Sequence, residues 1–307
     1  MLSVRRTRVF MDTAVTVEAV LGDGQGAEDG GTEAIERAFG WFEEVESRCS
    51  RFDPDSELRR TVSRVGEPVP VSPVLFEAVR FALEVARDSG GAFDPTVGAR
   101  LEARGFDRDY RTGRAHPSGI DPETAASWSD VLVDAPRRTI TLRRPVLLDL
   151  GAVAKGLAVD LALRELSGFS GGAVEAGGDV AVRGINGEGG PWRLGIRHPR
   201  RPGAVAAVLH FSDGAVCTSG DYERRSPKDG GSHLLDPRTG RPAAVIASCS
   251  VVAPNAMLAD ALSTAAGLFE PELAVQWLER RGVEAVLFTQ TLQRYSTKGF
   301  ARLEQCL

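Results

Sequence analysis

Apolar and polar or small side chains alternate over residues 8–20, which predicts one opening strand. The glycine- and acid-rich stretch 22–31 then predicts a loop. In residues 32–48, Ile35, Phe39, Phe42 and Val45 fall at helical spacing, with Thr32 placed to cap the helix. Residues 50–56 carry loop chemistry. Ser72 caps a second helix through Val79, Leu83 and Ala86, and Gly90 and Gly91 end it. Residues 91–105 predict a loop with a short helical piece. Residues 107–125, rich in Arg, Asp and Pro, predict a surface arm.

Strands follow at 131–133, 139–142 and 146–150, then a helix over 153–166. A strand, turn and strand over 173–182 centre on Gly177, Gly178 and Asp179. Further strands are expected at 192–196, 205–211, 215–218, 248–252 and 285–289, with helices over 255–269 and 273–280. Helices mixed with antiparallel-looking strands predict an α+β (mixed α/β) class, not an alternating βαβ array. The length of 307 residues suits one large domain or two intertwined lobes with a sizeable core.

Composition narrows the partners. A net charge of -5 gives no basic footprint for nucleic acid. An anionic substrate therefore needs local devices: a metal ion, helix N-termini or single cations. Lysine occurs only at Lys155, Lys228 and Lys298, so a lysine inside a motif draws notice. Cys49, Cys217, Cys249 and Cys306 show no metal-ligand or redox spacing and predict reduced thiols. No apolar run reaches the roughly 18 residues of a membrane span, and the N-terminus lacks a signal-peptide core. The expectation is a cytoplasmic protein.

Four segments are dense in chemistry. Residues 91–98 read Gly-Ala-Phe-Asp-Pro-Thr-Val-Gly. Residues 148–156 run through Asp149 into a glycine turn and a helix, which aims backbone N–H groups at whatever sits at the helix start and favours phosphate. Lys155 adds a point charge there. Residues 218–222 and 232–240 include His233, a loop histidine able to act as acid or base or simply to bond backbone. In residues 257–264, Asp260 and Thr264 lie four apart on one helical face. A carboxylate and a hydroxyl are hard oxygen donors that suit Mg²⁺, with a backbone carbonyl at Ala152 available to complete the set. Taken singly, each of these motifs is more often structural. His116, His198 and His210 carry no partner pattern and read as structural.

Taken in order, these segments resemble the ApbE family of FAD:protein FMN transferases. The resemblance rests on Met11-x-Thr13, the Ser50-x-x-Asp53-x-x-Ser56-Glu57 loop, the 91–98 and 149–156 segments, and Gly177-Gly178-Asp179. It continues through Thr218-Ser219-Gly220-Asp221-Tyr222, Ser232-His233-x-x-Asp236-Pro237-x-Thr239-Gly240 and Ala259-Asp260-Ala261-x-x-Thr264. It implies mixed, largely antiparallel sheets flanked by helices. It also implies FAD as substrate, contacted at Met11, Phe52, Ala92, Phe93, Asp94, Asp149, Lys155 and Leu235. Mg²⁺ would be held by the Ala152 carbonyl, Asp260 and Thr264, with His233 near the transfer site. FMN would pass to a Thr or Ser hydroxyl of an acceptor protein, with AMP released. His233 and Asp260 are both candidate bases. Phe52 stands where the family often has Tyr, and Asp12 where it often has Gly. The alternatives are a FAD pyrophosphatase, with water as acceptor, and a flavin-binding protein without chemistry.

Overall fold

The computed structural model describes residues 1–22 and 27–304. Part of the 22–31 stretch, and Cys306, therefore lie outside the described residues. The helices are α1 (Ala27–Cys49), α2 (Glu57–Val62), α3 (Pro73–Asp88), α4 (Gly98–Ala103), α5 (Gly151–Arg164), α6 (Ala256–Ala266) and α7 (Pro271–Glu279). The chain divides into two compact units. The first comprises Met1–Glu43, Lys155–Gly220 and Ala244–Leu307, and the second Glu44–Ala154 and Asp221–Ala243.

In the first unit, eight strands form one antiparallel sheet. Its order is Ser3–Phe10, Thr13–Val20, Gly171–Ala176, Asp179–Gly184, Gly214–Gly220, Ile246–Ala253, Glu284–Thr289 and Arg294–Ser296. Each strand therefore lies beside the next sheet strand in the chain. The Ile246–Ala253 strand is buried on both faces, as a central strand covered from both sides should be. On one face, Ile196, Ala207 and Leu209 of the hairpin Trp192–Arg197 and Val205–Phe211 pack with Val216, Val286, Phe288 and Phe300. On the other, α6 packs on the Gly214–Gly220 and Ile246–Ala253 strands. Strand periodicity sorts the neighbours: Val216 joins the hairpin core, while the Cys217 thiol points at the Ala256 carbonyl, 3.5 Å away.

The first prediction of a single strand is corrected. Residues 3–20 form a hairpin, and Met11 and Asp12 make its two-residue turn at φ 51° and 61°. That geometry is the left-handed turn whose twist matches paired strands. The loop assigned to 22–31 is also corrected, because α1 begins at Ala27 and Thr32 is no cap; its hydroxyl donates to the Glu28 carbonyl. Glu28 and Asp29 suit a helix's first turn. Gly31 is glycine for packing, since a Cβ there would lie 2.8 Å from the Leu21 side chain. Phe39 and Phe42, which helical spacing puts on one face, meet Phe10 at ring distances of 5.6 and 5.8 Å.

In the second unit, Ser72 caps α3 by accepting from the Leu75 N–H, as read from the sequence. Glu57 holds that cap through both the Ser72 backbone N–H and hydroxyl, at 2.7 and 2.6 Å. A three-stranded sheet runs Val69–Pro70, Thr139–Leu142, Val131–Asp134. Residues 146–150 were expected as a strand and are not one. Their backbone instead bonds a helix start and a turn: Gly98 N–H donates to the Leu147 carbonyl and Asp149 N–H to the Pro95 carbonyl. Residues 107–125 hold no helix or strand, and Ser118 ties them to Glu102.

Cys49, Cys217 and Cys249 are buried free thiols. Burial, aided by the Glu57 charge, pushes Cys49 up to about 12, and burial also raises Cys217 and Cys249. Thiolate is the reactive form, so these three should resist iodoacetamide at about pH 8 in the native protein and react only in denaturant. Peptide mapping after labelling checks this.

Candidate functional site

The first unit gathers Lys155, Asp260 and Thr264. Asn255 caps α6 by accepting from the Leu258 N–H, and the half-buried Asp160 carboxylate on α5 accepts from the Ala256 and Met257 N–H groups at 2.7 and 2.9 Å. All the leading N–H groups of α6 named here are thus satisfied from within the unit. The two helices approach closely at Gly156, where a Cβ would lie 2.5 Å from the Ala256 carbonyl. That approach carries Lys155 to Asp260: its Nζ is 3.5 Å from Oδ2, and it also pairs with Asp179. Asp179 is buried, and its other oxygen accepts from the Thr218 N–H at 3.1 Å.

Asp260 is 5% exposed, and its Oδ2 has no hydrogen-bond partner among the described residues. Burial raises its carboxyl, and the Lys155 charge opposes that rise. A buried, unbonded carboxylate oxygen is the kind of donor a hard cation takes. Thr264, one turn further along α6, meets the Ser219 hydroxyl at 2.8 Å. Among the described residues no group of three or more His, Cys, Asp or Glu could hold a metal. A cation here would have one carboxylate and one hydroxyl from α6, a sparse oxygen set that fits Mg²⁺ better than a transition metal.

The Met11–Asp12 turn stands at the same end of the sheet as the Gly177–Gly178 turn, since Gly177 N–H donates to the Ala14 carbonyl and Ala176 pairs with Asp179. Gly177 has φ 62°, and a Cβ there would lie 2.5 Å from the Thr13 hydroxyl oxygen, so both geometry and space require glycine.

The second unit gathers Phe52, Asp149, the 92–94 segment and His233. Arg51 is the hub. Its Nε donates to Asp149 Oδ2 at 2.6 Å, Nη1 donates to the Phe106 carbonyl at 2.6 Å, and its guanidinium lies 4.0 Å over the Phe52 ring. Asp149 Oδ1 accepts from the Gly151 N–H at the start of α5. Burial works to raise the Asp149 carboxyl, but the Arg51 charge and these hydrogen bonds outweigh it and hold it low. The ring of Phe106 meets His233 edge-on at 6.4 Å, and His233 Nδ1 faces the Arg224 carbonyl at 3.4 Å. Leu235 is buried in the short ribbon Leu235–Asp236 and Arg241–Pro242.

Because the Asp149 carboxyl is depressed, its stabilisation is complete above 3.8 and is lost only as pH falls below the ordinary carboxylate range. Arg51→Lys keeps the charge but not the planar fork or the stack on Phe52. It should cost about 1–2 kcal/mol of stability at neutral pH. Urea unfolding at pH 7 checks the size, and repetition near pH 3 should show the difference shrinking.

Asp94 is committed to its own loop. Its Oδ1 accepts from the Thr96 N–H and hydroxyl, and its Oδ2 from the Trp128 N–H. Burial nevertheless raises its carboxyl. It lines a cavity of about 290 Å³ with Trp128, Arg100 and Arg238. Arg100 serves the Pro122 and Pro237 carbonyls and Arg238 pairs with Asp236, so these charges too hold the loops in place.

The model of the ApbE family matches residues 11–287. The chain belongs to the ApbE family. It is 37% identical over 235 residues to the FAD:protein FMN transferase of Rhodobacter capsulatus; the match covers 72% of this chain and 43% of that longer protein. It is 32% identical over 260 residues to the FAD:protein FMN transferase of Escherichia coli K12, covering 81% and 74%. Among solved structures, the ApbE protein of Thermotoga maritima superposes with a TM-score of 0.87 at 29% identity over 99% of this chain and 100% of that one. The flavin transferase ApbE from Vibrio cholerae gives 0.82 at 25% identity over 98% and 99%. The α+β class and the antiparallel, helix-flanked ApbE fold expected from the sequence are borne out.

Two groups in this ApbE-family chain escaped the sequence reading. Asp179 sits in a glycine turn to which the sequence assigns no chemistry, though a carboxylate fixed by that turn is the available signal. Arg51 falls in a loop stretch, and one arginine among many offers no signal in sequence alone. The Asp12 departure becomes intelligible: at φ 61° glycine is unstrained, and aspartate is among the few side chains that tolerate the position. No helix among the described residues is long and apolar enough to cross a membrane.

Proposed function

We propose that this ApbE-family enzyme transfers FMN from FAD to a Thr or Ser hydroxyl of an acceptor protein in a Mg²⁺-dependent reaction that releases AMP. The reading is supported above all by the buried Asp260 oxygen, left unbonded beside Thr264 and Lys155, in a family whose curated relatives are FAD:protein FMN transferases. Asp260, Thr264 and the Ala152 carbonyl would hold the ion, whose chemistry is to neutralise the diphosphate and polarise its oxygens. Met11, Phe52, Ala92, Phe93, Asp94, Asp149, Lys155 and Leu235 are the proposed FAD contacts.

In the reaction, the acceptor hydroxyl oxygen bonds to the phosphorus on the riboflavin side and the bond from that phosphorus to the AMP oxygen breaks. The hydroxyl proton passes to His233 or Asp260, and AMP leaves as the anion. Lys155 offsets negative charge growing on the phosphate oxygens. Phe52 presents a ring face to the flavin without the hydroxyl a tyrosine would bring.

The test is mass spectrometry of a Thr- or Ser-bearing candidate acceptor after incubation with the protein, FAD and Mg²⁺. A covalent FMN adduct that EDTA prevents supports the proposal. Free FMN and AMP with an unlabelled acceptor would make the enzyme a pyrophosphatase. Unchanged FAD would leave a binding protein.

A further inference from the structure

The cation reading above leaves one question of geometry: what turns the Thr264 oxygen into a ligand. A hydroxyl has one proton and two lone pairs, and its proton must be kept away from a cation. Three hydroxyls lie in a row near Asp260, and their contacts admit one arrangement of protons. The Ser263 hydroxyl is 2.9 Å from the Asp260 carbonyl oxygen, which only accepts, so Ser263 donates there. Ser263 and Ser219 are 2.8 Å apart, and with the Ser263 proton spent, Ser219 is the donor. Ser219 and Thr264 are also 2.8 Å apart, and with the Ser219 proton spent, Thr264 is the donor.

From this chain we infer that Ser219 and Ser263 are positioning residues that draw the Thr264 proton inward and leave its lone pairs to a divalent cation. The inference rests on the proposed cation site and concerns residues to which the family resemblance gives no role. The fold supplies rigidity at both ends. Ser263 is fully buried on α6, and Ser219 sits on the Gly214–Gly220 strand, against which α6 packs. Each donation polarises the next hydroxyl, so the last oxygen in the row becomes a better donor of electron density. The carbonyl that ends the row belongs to Asp260 itself, so the two proposed ligands are tied through one hydrogen-bonded path.

The experiment measures Mn²⁺ binding by electron paramagnetic resonance on the protein without FAD, a readout independent of turnover. Ser219→Ala should weaken Mn²⁺ about tenfold, the scale typical of residues that orient a metal ligand. Ser219→Thr keeps the hydroxyl and should bind within about twofold of wild type, and Ser263→Ala should weaken binding severalfold through a different link of the row. Thr264→Ala should weaken it at least as much as Ser219→Ala, and the double variant should be no worse than Thr264→Ala alone, because Ser219 acts through Thr264. Equal Mn²⁺ affinity in wild type and Ser219→Ala, or losses that multiply in the double variant, would overturn the inference. If wild type itself binds no Mn²⁺, the cation reading fails and takes this one with it, a pattern distinct from a wild type that binds and a variant that binds equally. Thermal melts of every variant keep a folding defect from being read as a lost ligand.

Discussion

Asparagine at position 260 should lower FMN transfer by about 10³-fold or more while costing no more than about 1 kcal/mol of stability. The split follows from what the carboxylate touches. Its Oδ2 makes no hydrogen bond among the described residues and faces the Lys155 ammonium at 3.5 Å, so an amide of the same shape gives up only that long ion pair at that atom. Burial already works against its charge, and a neutral amide removes that cost. Lys155 keeps its pair with Asp179, so no buried cation is abandoned. Transfer chemistry has no such reserve, because an amide oxygen holds a dication far less strongly than a carboxylate does. Steady-state transfer to an acceptor and urea unfolding, run on one preparation, check both halves. Transfer within tenfold of wild type would remove Asp260 from the site; a collapse of stability would make it a structural residue.

The same pair of helices shows what a sequence discloses. The α6 stripe and the Asp260–Thr264 spacing were legible because helical periodicity is local. So were the Ser72 cap, the Gly177–Gly178 turn and most strands, each announced by residues within a few positions of itself. What stayed hidden depended on distant partners. The Asp160 carboxylate serves the start of a helix nearly a hundred positions away, and no spacing rule links the two. The opening hairpin reads as one strand because Met-Asp is no turn signal, with methionine unusual at positive φ, and the alternation continues across the turn. Residues 146–150 had the composition of a strand but found a helix start and a turn for neighbours. Pairing, not propensity, decides such segments.

The candidate site divides along the same line. Lys155, Asp260 and Thr264 were named from motifs, and the structure brings them together in one unit. Asp149 and Phe52 were named too, but the arginine that links them was not. Arg51 illustrates why: its meaning comes from three contacts, to a carboxylate, a carbonyl and a ring, drawn from separate stretches of chain.

The close approach of α5 and α6 makes Gly156→Ala a strongly damaging small substitution. A Cβ at 156 would sit 2.5 Å from the Ala256 carbonyl oxygen and 2.7 Å from the Met257 Cα. Both are backbone atoms, so no side chain can rotate out of the way. In a free helix alanine would be favoured over glycine by roughly 1 kcal/mol, so a loss here measures packing and not propensity. The helices must separate or α6 must shift, which should cost about 3–4 kcal/mol. Separation also strains the Asp160 bonds to the Ala256 and Met257 N–H groups, and it draws Lys155 away from Asp260. The variant should therefore lose stability and Mn²⁺ affinity together, whereas Asp260→Asn should lose the second alone. Urea unfolding beside a Mn²⁺ titration separates the two patterns, and a Gly156→Ala protein as stable as wild type would show that the helices do not meet as closely as described.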